Sequence, residues 1–293
     1  MSDDSRIRDI VRLIVEEEAR ARDTGPKAPA PRSAADAGLA KRVGRWLGAS
    51  MPLPPALGDW RPQTTREGYL AATPARLGVG RAGGRLRTDI ALRFLADHAA
   101  ARDAVASDIA ASVIGPLGFL SLRSAAADKR EFLVRPDLGR RLSTNDAAAV
   151  GREAQRSPKV QIVAVDGLSA TAINVNLPLV YPGLVAELTR RGIRTGTPVA
   201  VTNGRVAAGD HVARQTGAEL LVTLVGERPG LKTAESMGVY ITYMKVKNFN
   251  EAMRYVVSNI HAEGLKPEEA VPQIAEICEK SLAEKRTGVD FSQ

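Results

Sequence analysis

The chain of 293 residues has one cysteine, Cys278, and three histidines, His98, His211 and His261, far apart in sequence. An intramolecular disulfide is excluded, and so is a zinc module built from Cys and His ligands. The single thiol suits a reducing compartment. Aromatic residues are scarce as well, at 5 Phe, 2 Trp and 5 Tyr. The basic segments are nearly bare of them, which removes the stacking platforms on which single-stranded nucleic acids lie. No apolar run approaches the roughly 18 residues of a membrane span, and the first residues lack the apolar core of a secretory signal. A soluble cytoplasmic protein is the expectation. What the chain has in excess is positive charge, 41 Lys and Arg against 33 Asp and Glu, a net +8. Residues 1–150 carry 24 basic and 18 acidic side chains and residues 151–293 carry 17 and 15, so the excess lies in the first half.

Three stretches differ in character. Residues 1–35 begin with a helical pattern in which Ile7, Ile10, Val11 and Ile14 form one stripe, followed by the Pro-rich linker DTGPKAPAPRSAA. A short amphipathic helix on such an arm docks either on its own body or on another protein. Residues 36–150 form a basic, mainly helical region with Pro52, Pro54 and Pro55 as breakers and Thr88 as the start of a helix to about Asp103. From residue 151 to 293, strands KVQIVAV, PVAVT, ELLVTLV and GVYITYM are spaced by helical segments, and further helices are expected near 250–261 and 267–286. That alternation predicts an α/β fold with a mostly parallel, Rossmann-like sheet flanked by helices.

In such a sheet, ligands bind beyond the carboxyl ends of the strands. Three glycine-bearing segments follow three successive strands: Asp166-Gly167-Leu168-Ser169, Asn203-Gly204-Arg205-Val206 and Gly226-Glu227-Arg228-Pro229-Gly230. Any one of them reads as an ordinary turn, but three together predict a shared crevice in which Asp166, Arg205, Glu227 and Arg228 can bond amides or anions. Gly78-Val79-Gly80-Arg81-Ala82-Gly83 matches the glycine spacing of dinucleotide sites but lacks the strand before it and the helix directly after it. The P-loop signature is absent. Ser169 lies outside a G-x-S-x-G elbow and is expected to cap the next helix or donate a hydrogen bond. Cys278 is expected to be a buried apolar residue. No set of acid, base, nucleophile or metal ligands stands out. Arg76, Arg81, Arg85, Arg87 and Arg93, with Lys129, Arg130, Arg135, Arg140 and Arg141, fit a partner-binding face, a solvated face, or duplex binding through phosphates.

These strings together resemble the small subunit of ethanolamine ammonia-lyase. The matching residues are GRAGGRLRT (Gly80–Thr88), LRFLADHAAARD (Leu92–Asp103), DKREFLVRPDLGRRL (Asp128–Leu142), VQIVAVDGLSATAI (Val160–Ile173), NGRV, LVGERPGL (Leu224–Leu231) and SNIH (Ser258–His261). The resemblance implies a lyase subunit that does not catalyse alone. A large barrel-shaped subunit would hold ethanolamine, and this chain would cover adenosylcobalamin at the interface, in an assembly of six large and six small chains. Acetaldehyde and ammonia would be the products of a radical reaction whose chemistry the cofactor supplies. Cofactor contacts carry over to Val206 in NGRV, Glu227 in GERPG and Val256 in YVVSNIH, where some relatives have Cys. The chain has no Asp-x-His-x-x-Gly string, so the cofactor is expected to bind with its own base on cobalt. The N-terminal helix resembles a tag for packaging into a bacterial microcompartment. The alternative function is a basic nucleic-acid-binding module, and a third is an independent α/β enzyme acting on a nucleotide.

Overall fold

The computed structural model describes residues 68–70, 73, 75–247 and 249–288. The expected N-terminal helix, its linker and residues 36–67 lie outside the described residues. The chain divides into two compact units at Arg93/Phe94. In the first, β1 (Arg81–Ala82) and β2 (Arg85–Leu86) pair antiparallel. Gly83, at φ +63°, and Gly84 make the turn between them. The glycine string that mimics a dinucleotide fingerprint is thus a hairpin and leads from no buried strand. Helix α1 (Thr88–Ala106) starts at the expected Thr88.

The second unit is built on six strands: β3 (Leu120–Arg123), β4 (Val160–Val165), β5 (Val199–Thr202), β6 (Leu220–Gly226), β7 (Met237–Tyr243) and β8 (Tyr255–Ile260). Their order is β3-β5-β4-β6-β7-β8, with the first four parallel and β7 and β8 antiparallel. All six residues of β4 and all seven of β6 are buried. That explains the unbroken apolar runs in their sequences, because both faces of these strands are covered. Short helices α2 (Ala111–Ile114) and α3 (Lys129–Val134) precede α4 (Thr144–Glu153), α5 (Ala170–Arg190), α6 (Val206–Thr216) and α7 (Pro267–Glu284). Helices α5 and α7 pack with Ile162, Ala164, Leu220, Val222 and Leu224 on one face. Helices α4 and α6 pack with Val163, Val165, Val199, Val201 and Leu221 on the other. Full burial of each of these Val, Leu and Ile side chains is worth roughly 1.5–3 kcal/mol against exposure.

Two elements depart from the sequence-based expectation. β3 and α4, both N-terminal to residue 151, belong to this α/β unit: β3 is an edge strand bonded to β5, and α4 packs with α6. The segment near 250–261, expected to be helical, is instead a 3₁₀ turn (Glu251–Met253) followed by the edge strand β8. Tyr255, Val256 and Val257 are β-formers, and Val257 and Ile260 are buried against the α5 face.

Candidate functional site

The chain leaves β4 through α5 on one face of the sheet and leaves β5 through α6 on the other. The next strand, β6, lies on the other side of β4 from β5, so the carboxyl ends of β4 and β6 form a topological switch point, the place where open α/β sheets bind ligands. The three glycine-bearing loops meet there through backbone bonds. Gly167 N donates to Gly204 O at 3.1 Å, and Leu168 N donates to Gly226 O at 3.0 Å. A side chain on Gly226 would fall onto the carbonyl oxygens of Ser169 and Asp166. Gly167, at φ +55°, lies so close to Gly226 O that only glycine fits.

Asp166 holds this rim together and does not wait there for a ligand. Its Oδ2 accepts from Asn203 N at 2.8 Å and Lys129 Nζ at 2.6 Å, and its Oδ1 accepts from Gly204 N at 2.8 Å. Burial pushes its carboxyl above the usual range, against the pull of Lys129 and the two backbone donors. The expectation that Asp166 bonds a ligand is corrected here, because its oxygens are taken up inside the chain. Ser169 caps α5 as expected, accepting from Ala172 N at 3.2 Å, and it donates to Ala234 O at 2.5 Å. Cys278 is fully buried in α7, and burial pushes its thiol up to about 12, which leaves it inert.

Arg205 is held differently. Its backbone N donates to Gly139 O at 2.7 Å, and its guanidinium lies 4.4 Å from the centre of the Phe132 ring. Its Nε is buried without a hydrogen-bond partner. Burial lowers its pKa, with the Arg228 charge adding to the effect and Asp166 opposing both. Phe132 and Lys129 come from α3, an element the sequence presents only as a basic segment. Gly139 packs directly on the Phe132 ring. The signal that could have drawn α3 to the rim is its one fully buried aromatic, Phe132, between charged residues.

Glu227, Val206 and Val256 all belong to the α6 side of the sheet. Glu227 leaves β6 with its N–H on Ser236 O at 3.0 Å, and its Oε2 accepts from Ser236 Oγ at 2.6 Å. Its other carboxylate oxygen lies over Gly238, where an added Cβ would meet it at 2.7 Å. Gly238 shares this face with Tyr240, whose register partner on β8 is Val256. Val256 is 42% exposed although apolar. Val206 opens α6 and packs with Tyr240 on the same hydrophobic cluster. On this side of the sheet Val256 is exposed and Tyr240 and Val206 are half-buried, an apolar shelf, and Gly238 is buried beneath the Glu227 carboxylate. His261, the residue after β8, is buried, with its Nε2 2.9 Å from Asn259 Oδ1, and takes no part in the shelf.

The profile of the family described as ethanolamine ammonia-lyase light chain matches residues 65–292. The chain belongs to this family. It is 44% identical over 221 residues to the ethanolamine ammonia-lyase small subunit of Clostridium acetobutylicum, covering 75% of this chain and 91% of that one. Against the small subunit of Clostridium perfringens it is 45% identical over 229 residues, 77% of this chain and 78% of the relative. The small subunit of Fusobacterium nucleatum is 44% identical over 223 residues, 76% of each. The family is that of a lyase subunit, and the name of a small subunit implies a large one. No helix among the described residues is long and apolar enough to cross a membrane.

Proposed function

We propose that this chain is the cofactor-covering small subunit of an adenosylcobalamin-dependent ethanolamine ammonia-lyase, joined to a large subunit that holds ethanolamine, in an assembly of six large and six small chains. When bound, the cofactor supplies the radical that converts ethanolamine to acetaldehyde and ammonia. The observation that carries the reading is that Val206, Glu227 and Val256, distant in sequence, share one side of one sheet, with Val256 exposed and Val206 and Tyr240 half-buried there.

The residues present fit a broad apolar ring edged with amide groups. Glu227 accepts amide or ribose hydrogen bonds through the oxygen not engaged by Ser236, and Gly238 leaves room for its carboxylate. Val206 and Val256 offer small apolar surfaces, and Arg205, the residue before Val206, has an Nε without a partner that would donate to a carbonyl of the cofactor. The chain's part in the reaction is thus to bind, to orient and to exclude water. No residue at the shelf forms an acid, base and nucleophile set, so proton movement at the substrate belongs to the partner subunit. The amphipathic pattern of residues 1–22, read in the sequence, would serve as a microcompartment tag.

Co-expression with the large subunit tests the reading. A complex should form, and acetaldehyde formation should depend on added cobalamin. Glu227→Ala should raise the cofactor concentration for half-maximal activity about tenfold, the size of one lost hydrogen bond to a charged group. An unchanged value in an assembled complex removes Glu227 from the site. Absence of a complex and of cobalamin-dependent product, with salt-sensitive duplex binding, would instead favour a nucleic-acid module.

A further inference from the structure

A cleft of about 520 Å³ opens on the same side of the sheet, between α6 and the segment that leads into β8. Its cationic wall comes from Arg140 and Arg141, at the end of the 3₁₀ turn Leu138–Arg140, and from Arg214 in the last turn of α6. Two carboxylates line it: Glu251 is engaged, and Asp210 is engaged through Oδ2 while its Oδ1 has no hydrogen-bond partner. Arg254, only 7% exposed, pairs with both, and Arg140 pairs with Glu251 as well. Arg141 and Arg214 have no carboxylate partner among the described residues. The Phe249 ring orders the cations near it, with Arg214 at 5.5 Å and Arg254 at 5.6 Å from its centre. His211 Nδ1 accepts from Leu142 N at 2.9 Å, so the ring's proton sits on Nε2, leaving a second kind of donor in the wall.

Each feature narrows what the cleft can take. Two guanidiniums outside any ion pair, though Arg214 still acts on Asp210 and Arg141 on Asp137, form with an imidazole N–H a donor set for an oxyanion, and the planar fork of arginine suits phosphate oxygens. A volume of about 520 Å³ is that of a small-molecule pocket and far exceeds an inorganic ion. Phe249 and Ala207 add apolar lining, which suits an anion carried on an organic group. The position matters too. Ala207, in the lining, follows Val206, and Glu251, also in the lining, precedes Val256 by five residues, so the cleft borders the two segments that carry these positions.

We propose that this cleft is a phosphate-ester subsite in which Arg141 and Arg214 hold the anion and His211 donates from Nε2. The link to cofactor rests on the function proposed above. Two sources offer the same chemistry: the phosphodiester of the cofactor's nucleotide tail, and a separate phosphate ester.

The complex of small and large chains, wild type and with Arg141→Gln and Arg214→Gln combined, should be titrated by equilibrium dialysis with three probes. These are cobalamin, cobinamide, which lacks the nucleotide tail and its phosphate, and adenosine 3′-monophosphate. Both arginines are exposed, and co-elution with the large chain checks that the variant folds. If the tail supplies the anion, the variant binds cobalamin at least about tenfold more weakly and cobinamide as tightly as wild type does. If a separate ester is the ligand, the variant loses adenosine 3′-monophosphate and keeps both corrinoids. Equal losses for cobalamin and cobinamide, or a variant that matches wild type on all three probes, overturn the subsite. A wild-type complex that binds neither corrinoid overturns the proposed function instead, and the nucleotide then decides the subsite alone.

Discussion

Gly226 is where the three loops of the rim meet, and its missing side chain is what lets them meet. A Cβ there would collide with two backbone carbonyls, of Ser169 and Asp166. Backbone cannot rotate away as a side-chain tip can, so the loops would have to part and the bond from Leu168 N to Gly226 O would break. Gly226→Ala should therefore cost about 3 kcal/mol, at the upper end for overpacking. Gly230, four residues on, faces open space, and Gly230→Ala should stay within about 0.5 kcal/mol. Urea unfolding of the two variants measures the difference. Equal midpoints would mean that the rim yields without cost and that its geometry is not what sets the loops. The sequence shows glycines at both positions and cannot rank them, because the collision partners lie about 60 residues upstream in the chain.

Helix α6 carries one side of the shelf and one wall of the cleft, and His211 ties it to the segment before α4. That tie depends on an unprotonated Nδ1, which accepts from Leu142 N. Burial, then the charges of Arg214 and Arg141, holds the ring's pKa below its ordinary 6.5. The sign follows from linkage. The unfolded chain takes up a proton near 6.5 and the folded one resists it, so stability is complete above 6.5 and falls as the pH drops below it. His211→Asn can place an amide oxygen where Nδ1 stood and does not titrate. Its urea midpoint should fall less steeply than that of wild type below pH 6.5, and matching slopes would remove His211 from the tie. At this scale the sequence is legible where burial is two-sided. β4, β5 and β6 stand out as apolar runs, and so does the placing of a loop after each. β8 does not, because an edge strand with the burial pattern of Tyr255–Ile260 alternates poorly and sits beside helix-forming residues. β3 is hidden for a similar reason: it has four residues and one buried side chain, and the pairing that makes it a strand is with β5, 79 positions away at Leu120–Val199. Val206, Glu227 and Val256 came from resemblance, and nothing local in the sequence puts them on one face.

For the whole molecule, the division of labour follows from what each part can bury. The family match begins at residue 65, and the sheet, its helices and the proposed sites all lie beyond that point. The spacing of Ile7, Ile10, Val11 and Ile14 predicts a stripe too short to bury itself, ahead of a Pro-rich stretch whose composition predicts a linker. An apolar stripe on a tether gains most by docking into a groove on another protein. If it serves packaging, it can be removed without touching the sheet. Deleting residues 1–22 should leave co-elution with the large chain and cobalamin-dependent acetaldehyde formation unchanged. The same deletion should abolish co-sedimentation with co-expressed shell proteins. Shell association that survives the deletion would rule out the tag. Loss of co-elution with the large chain would show that the stripe is covered by the enzyme itself, and its apolar face would then count as part of the subunit interface.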